Sequence, residues 1–322
     1  MVGNTEKTRQ PLAANRPKRS KLTRDDLELS LLGLPAFIWY VLFCYLPMFG
    51  LIIAFKQYKI FPRQSFLYNL FHSEFVGFKN FSFFIHNNAF AMLLRNTLLY
   101  NIVFIILGIV IPVALAVMIN ELYSKRASKT YQTLMFFPHF LSWVVVSYFV
   151  FAFLNTDYGT LNRVIMFFGG EPHRWYSEAT YWPLFFVILK VWKGTGYGMV
   201  VYLATITGID GSLYEAAMLD GANKLQRVWH ITLPALIPTA VTLFILNLGS
   251  LMSVGFEKAF AMQNDLNRTT AQVLSTYVYT QGLVDNNYSF ATAVDLFNSV
   301  INLIAVVTVN YIGRKTADVS LW

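Results

Sequence analysis

The 322 residues contain a single cysteine, Cys44, and only 13% are charged. One cysteine excludes an intrachain disulfide, a cysteine-based zinc cluster and a cysteine redox pair. Scarce charge, together with 56% hydrophobic residues and a mean hydropathy of +0.47, excludes an ordinary soluble domain of this length. A glycine-rich phosphate loop with its lysine is also missing, so the chain cannot hydrolyse ATP by the P-loop route. Nor is there a catalytic constellation. His72, His86 and His173 lack ligand-like spacing, and Asp157, Glu171 and Glu178 read as loop charges, which argues against a membrane enzyme.

Long apolar runs are what the sequence has instead. Six windows, near 31–55, 96–120, 134–154, 183–207, 235–254 and 290–312, each meet the need for about 20 apolar residues to cross a bilayer. The expected fold is all-α: a polytopic membrane protein with six transmembrane helices, forming one membrane domain over 29–322. A basic tail over 1–28 carries Lys7, Arg9, Arg16, Lys18, Arg19, Lys21 and Arg24. No small-residue cleavage site follows a short apolar run, so the first span reads as retained rather than as a signal peptide.

The net charge of +8 belongs to the flanks of these spans and reads as an orientation signal, not as a nucleic-acid surface. Lys125, Arg126 and Lys129 after span two, and Arg314 and Lys315 after span six, agree with the tail in placing both termini in the cytoplasm. Lys56, Lys59, Arg63 and Lys79 fall in the first external loop, which is long, and charge in long loops counts for less.

Between spans four and five, residues 208–234 are polar and fit two short helices separated at Gly221. Ser212 is the expected cap of the first, with Glu215 completing a capping box, and Gly221 ends it. Pro234 is expected to stop the second. This is either a well-capped connector or a rigid knob that transmits force between moving spans.

The spacing Glu215-Ala216-Ala217, three residues, Gly221, nine residues, Ile231-Thr232-Leu233-Pro234 resembles the signature loop of permease subunits of binding-protein-dependent ABC importers. "VWKGTGYG" in span four, "ITLPALIPT" entering span five and "GFEKAFAMQN" after it resemble the carbohydrate subgroup, and the likeness covers most of the chain from Asn96 onward. The resemblance implies a bacterial inner-membrane subunit that pairs with a second homologous permease, an ATPase dimer and an extracytoplasmic solute-binding protein. ATP and magnesium would sit on the ATPases, with no cofactor in this chain. It also implies that Glu215, Ala216, Ala217, Asp220, Gly221, Ala222 and Leu225 form the ATPase-docking coupling helix, with Glu215 as polar anchor.

Lys190 and Lys193 lie three apart on one face of span four. At mid-bilayer each would cost about 2.5–3.5 kcal/mol, so facing lipid is disfavoured. They either line an aqueous cavity, snorkel, or pair with an internal acid such as Asp295. In a cavity, two ammonium groups suit an anionic solute. His139 and Trp143 in span three are either packing residues or partners for a sugar's hydroxyl and ring face. Asn247, Ser250 and Ser253 form a polar stripe that serves helix packing or solute hydrogen bonds. Asp295, Asn298 and Asn302 share a face of span six and read as interhelical contacts. In maltose-type relatives the stretch matching Lys190 through Gly194, and the positions matching His139, Trp143 and the span-five stripe, contact solute. The lysines depart from that neutral-sugar pattern and tilt the expected cargo toward a uronate such as alginate, with a neutral oligosaccharide as the alternative. An ion-coupled secondary transporter is the distant one, because Asp295 is the only acid within a span.

Overall fold

The computed structural model describes residues 24–83 and 88–317, so the basic positions from Lys7 to Lys21, and His86, lie outside the described residues. The chain divides into two units, 1–52 and 53–322. In the first, α1 (Arg24–Tyr40) runs through a π turn at Val41–Tyr45 into a tighter stretch, Leu46–Phe55, whose last three residues belong to the second unit. Its apolar side chains are exposed on every side, with Leu32 and Phe49 each 79% accessible, as expected of a helix whose solvent is lipid.

The second unit begins with a two-residue ladder, β1 (Lys56–Gln57) against β2 (Glu74–Phe75), closed around α2 (Phe66–His72). Then come α3 (Asn88–Asn120), α4 (Lys125–Phe136), α5 (Trp143–Leu154), α6 (Thr160–Phe167) and α7 (Trp182–Thr207). These are followed by α8 (Gly211–Leu219), α9 (Lys224–Arg227), α10 (Leu233–Leu248), α11 (Phe256–Met262), α12 (Arg268–Ala271), α13 (Leu274–Tyr279) and α14 (Tyr288–Ala317). Among the described residues five helical stretches are long and apolar enough to cross a membrane, or six if the bent pair α4–α5 counts as one.

That pair corrects the straight third span expected over 134–154. The two helices meet at 97°. Pro138 sits in the short turn Phe137–Phe140, where its missing N–H weakens the helix ladder, and Leu141 and Ser142 are extended. Ser142 then starts α5 afresh by accepting the Val145 N–H on its hydroxyl at 3.2 Å. At this bend α7 passes backbone to backbone, because a Cβ at Gly196 would run into the Met135 carbonyl.

α3 and α7 form the spine. At one end Tyr100 and Phe104 pack with Trp182 and Phe186; at the other, Ala116 and Ile119 pack with Met199, Tyr202 and Ile206. The polar residues near the start of α3 also have work there. Asn96 donates to the Thr269 and Gln272 carbonyls, Tyr100 to Thr270, and Asn101 to Leu251, while Thr97 accepts from Leu274 N–H. They satisfy irregular backbone that lies beside apolar helices, where an unpaired group would be costly.

Candidate functional site

A cavity of about 490 Å³ opens where α3, α7 and α10 face the α4–α5 bend. Its wall includes Phe104, His139, Trp143, Lys190, Lys193, Gly194, Tyr197 and Asn247. The bend is what brings His139 and Trp143 together. They are not on one continuous helix of a third span, since His139 sits in the turn before the bend and Trp143 opens α5. Lys193 joins them: its Nζ donates to the His139 carbonyl at 2.8 Å and lies 5.4 Å from the Trp143 ring centroid. The His139 ring stacks on Tyr197 at 4.9 Å and 15°.

Lys190, one turn from Lys193 on α7, lines the same wall, so their like charges repel. Among the described residues neither makes an ion pair, with Asp295 or any other acid, and no acidic residue is in the cavity wall. Gly194 adds bare backbone to that wall. Asn247 reaches the cavity, its Nδ2 donating to Leu243 O at 2.7 Å. Ser250 and Ser253 do not, because α10 ends at Leu248 rather than near Val254, and both serines fall in the turn beyond it. Asn302 accepts from Met252 N–H at 3.0 Å, a bond to the turn after α10 rather than to a neighbouring helix.

One further charge was not among the sequence candidates. Lys258, on α11, is 1% accessible, and its Nζ rests 3.8 Å from the Phe104 ring centroid, with Trp143 at 5.8 Å and Phe186 at 5.9 Å. The usable signal was a lysine on the face of a short helix shared by the apolar Ala259 and Met262, both buried.

The segment 208–234 is built differently, from its own neighbours in sequence. Asp210, not Ser212, caps α8: it is extended, and its carboxylate accepts the Ser212 N–H at 2.9 Å. That bond holds the Asp210 carboxyl below its ordinary value. Gly221 ends the helix as expected, with φ +81°. Its N–H donates to Met218 O while Ala222 N–H donates to Ala217 O, the paired bonds of a Schellman cap. The capping box belongs to α9, where Asn223 and Gln226 satisfy each other's backbone N–H.

Pro234 does not stop this second piece. A π turn at Val228–Thr232 takes up the strain, and the helix continues from Lys224 to Leu248. Tyr214 and Thr232 share a hydrogen bond at 2.9 Å across the segment, and Lys224 pairs with Glu121 just beyond α3 at 3.5 Å. A groove of about 310 Å³ collects Ala217, Asp220, Gly221 and Ala222 with Gln226 and His230. Glu215 and Ala216 are exposed beside it, as is Leu225 at 66%.

Residues 30–318 match the family described as "Binding-protein-dependent transport system inner membrane component". The chain belongs to this family. As an inner membrane component of such a system it is a transport subunit and not an enzyme by itself. It is 40% identical to Protein LplB of Bacillus subtilis (strain 168) over 90% of this chain and 89% of the relative. It is 37% identical to the polygalacturonan/rhamnogalacturonan transport system permease protein YteP of the same organism, over 91% and 90%. Among solved structures, a chain of a bacterial alginate ABC transporter in complex with an alginate pentasaccharide-bound periplasmic protein superposes with a TM-score of 0.84. The two are 34% identical, covering 92% of this chain and 97% of that one. For an inner membrane component, the cavity between spans and the capped loop beside them are the two regions with chemistry to explain.

Proposed function

We propose that this chain lines the translocation path of an ATP-driven importer of oligo- or polysaccharides, and that its cargo is acidic, a uronate of the alginate or polygalacturonate kind. The observation that carries the reading is the cavity: Lys190 and Lys193 converge there on an aromatic wall with no carboxylate to neutralise them. Ammonium groups are point donors suited to carboxylates, and a rich aromatic lining suits sugar rings. The likeness to a polygalacturonan permease and to an alginate transporter supports it.

A second homologous permease completes the path, and an external binding protein delivers the saccharide. An ATPase dimer, which holds the ATP and magnesium, docks on 208–234 at the Gly221 groove and its exposed rim of Glu215, Leu219 and Leu225. Both termini face the cytoplasm, in keeping with the basic residues at Lys125, Arg126 and Lys129 and at Arg314 and Lys315. Rocking of the spans, driven through the docked loop, alternates access to the cavity.

The test is the complete importer in proteoliposomes, with ATP-dependent uptake measured for tri-uronates and for a neutral trisaccharide. Preference for the uronates is expected. Uptake of the neutral sugar alone would replace the acidic reading with a neutral one, and uptake driven by membrane potential without ATP would remove the ABC mechanism.

A further inference from the structure

We propose that Lys258 is a specificity-determining residue that completes, with Lys190 and Lys193, a three-ammonium site for the neighbouring carboxylates of an acidic oligosaccharide. This rests on the acidic-cargo reading above and adds to it a residue on a different helix.

Burial is the first part of the case. Lys258 is among the largest fully buried side chains of the protein, yet among the described residues it has no ion pair. Its sequence neighbour Glu257 is exposed and does not pair with it. A buried ammonium without a counter-charge is expensive, and a methionine or leucine would fill the same space at no such cost. Aromatic faces recover only part of the lost hydration.

Position is the second part. The rings that hold Lys258, Phe104 and Trp143, are themselves cavity wall, so its charge stands directly behind the surface the solute meets. Trp143 is approached by two ammonium groups, Lys193 at 5.4 Å and Lys258 at 5.8 Å. Lys190 lines the same cavity one helical turn from Lys193. Three like charges from α7 and α11, two of them at one indole and the third a turn away on the same wall, repel one another until an anion arrives. One carboxylate cannot balance three cations, so the arrangement fits a chain of uronates rather than a sugar with a single acid group.

The experiment uses the complete importer in proteoliposomes with its own binding protein. The probes are an alginate trisaccharide and trigalacturonate, each compared with its methyl ester, which keeps the shape and removes the charge. Because the binding protein is common to every arm, a changed acid-to-ester ratio reports the permease. The wild-type importer is expected to prefer the free acids. Lys258→Met is expected to lower that preference about tenfold, and Lys258→Arg, which keeps the charge, to restore most of it.

An assembled Lys258→Met importer with the wild-type ratio would overturn the proposal and leave Lys258 as packing. If Lys258→Met does not assemble, Lys258→Gln carries the same comparison, and failure of both to assemble would also overturn it by making Lys258 a folding residue. A wild-type importer that takes acid and ester equally would instead overturn the acidic-cargo reading on which this rests.

Discussion

The capped segment between α7 and α10 and the lysine cavity are opposite solutions to holding a shape. The segment from Asp210 to Arg227 is secured by bonds spanning two to five residues, and its surface is mostly exposed. The cavity is assembled from α3, the α4–α5 bend, α7 and α10, with α11 behind it, and its central contact joins residues 54 apart. A locally satisfied unit keeps its form while its surroundings move, which suits the docking role proposed for it. A wall drawn from several helices changes whenever they shift, which suits a site that must bind and then release.

The comparison can be broken from either side, and the largest effect belongs to the local unit. Proline at position 221 cannot adopt φ +81°, since its ring holds φ near −65°. Gly221→Pro is therefore expected to reduce uptake to the level of vesicles without permease, and to abolish ATPase stimulation by the loaded binding protein, although the subunit still reaches the membrane. Normal uptake would mean the cap is only a connector.

Next comes the assembled wall. Lys193→Ala removes a charge, its bond to the His139 carbonyl and its contact with Trp143 at once. We expect at least about a tenfold fall in tri-uronate uptake, with Lys190→Ala falling similarly. Initial uptake rates against concentration check this, and unchanged rates in both variants would sink the anionic cavity. Gly196→Val forces the α4–α5 bend away from α7 and should cost about 1–3 kcal/mol, read as a lower thermal midpoint in detergent.

Smaller effects return to the loop. Asn223→Ala dismantles the α9 capping box, at about 1 kcal/mol, and should appear as faster amide exchange over 223–227 with the spans unchanged. The smallest is pH-dependent. Asp210 has a folded-state value below its ordinary 3.8. Its cap is therefore fully present above that value and is lost as pH falls through the depressed one, with no change near neutrality. Amide exchange at Ser212, corrected for intrinsic rate, should show this loss, and Asp210→Asn should flatten it.

These two regions also differ in how far they could be read from the amino acids alone. Gly221 announced its own backbone conformation, and the helix, bend, helix order followed from it. The cap was misplaced by two residues because Asp210 and Ser212 both suit that role, and only the extended backbone at Asp210 decides between them. Pro234 read as a stop because a π turn cannot be seen in a residue pattern. In the cavity, Lys190 and Lys193 stood out as charges inside an apolar run. Lys258 did not, because α11 is too short to span a membrane and its burial comes from helices distant in sequence. Pro138 was visible, but the 97° bend also needed Ser142 to restart the chain, and without the bend the meeting of His139 and Trp143 around Lys193 has no cause.

The unpaired lysines have a consequence for what must stay out. A passage wide enough for a sugar chain is wide enough for hydrated sodium and for a water wire carrying protons, and a bacterial membrane holds a voltage that pulls both inward. A cavity wall carrying positive charge repels them, as fixed cations do in pores that exclude protons. If the cargo is the proposed uronate, the wall that attracts it also insulates the membrane between cargoes, and a variant that neutralised all three lysines would be expected to cost the cell its ion gradients as well as its sugar.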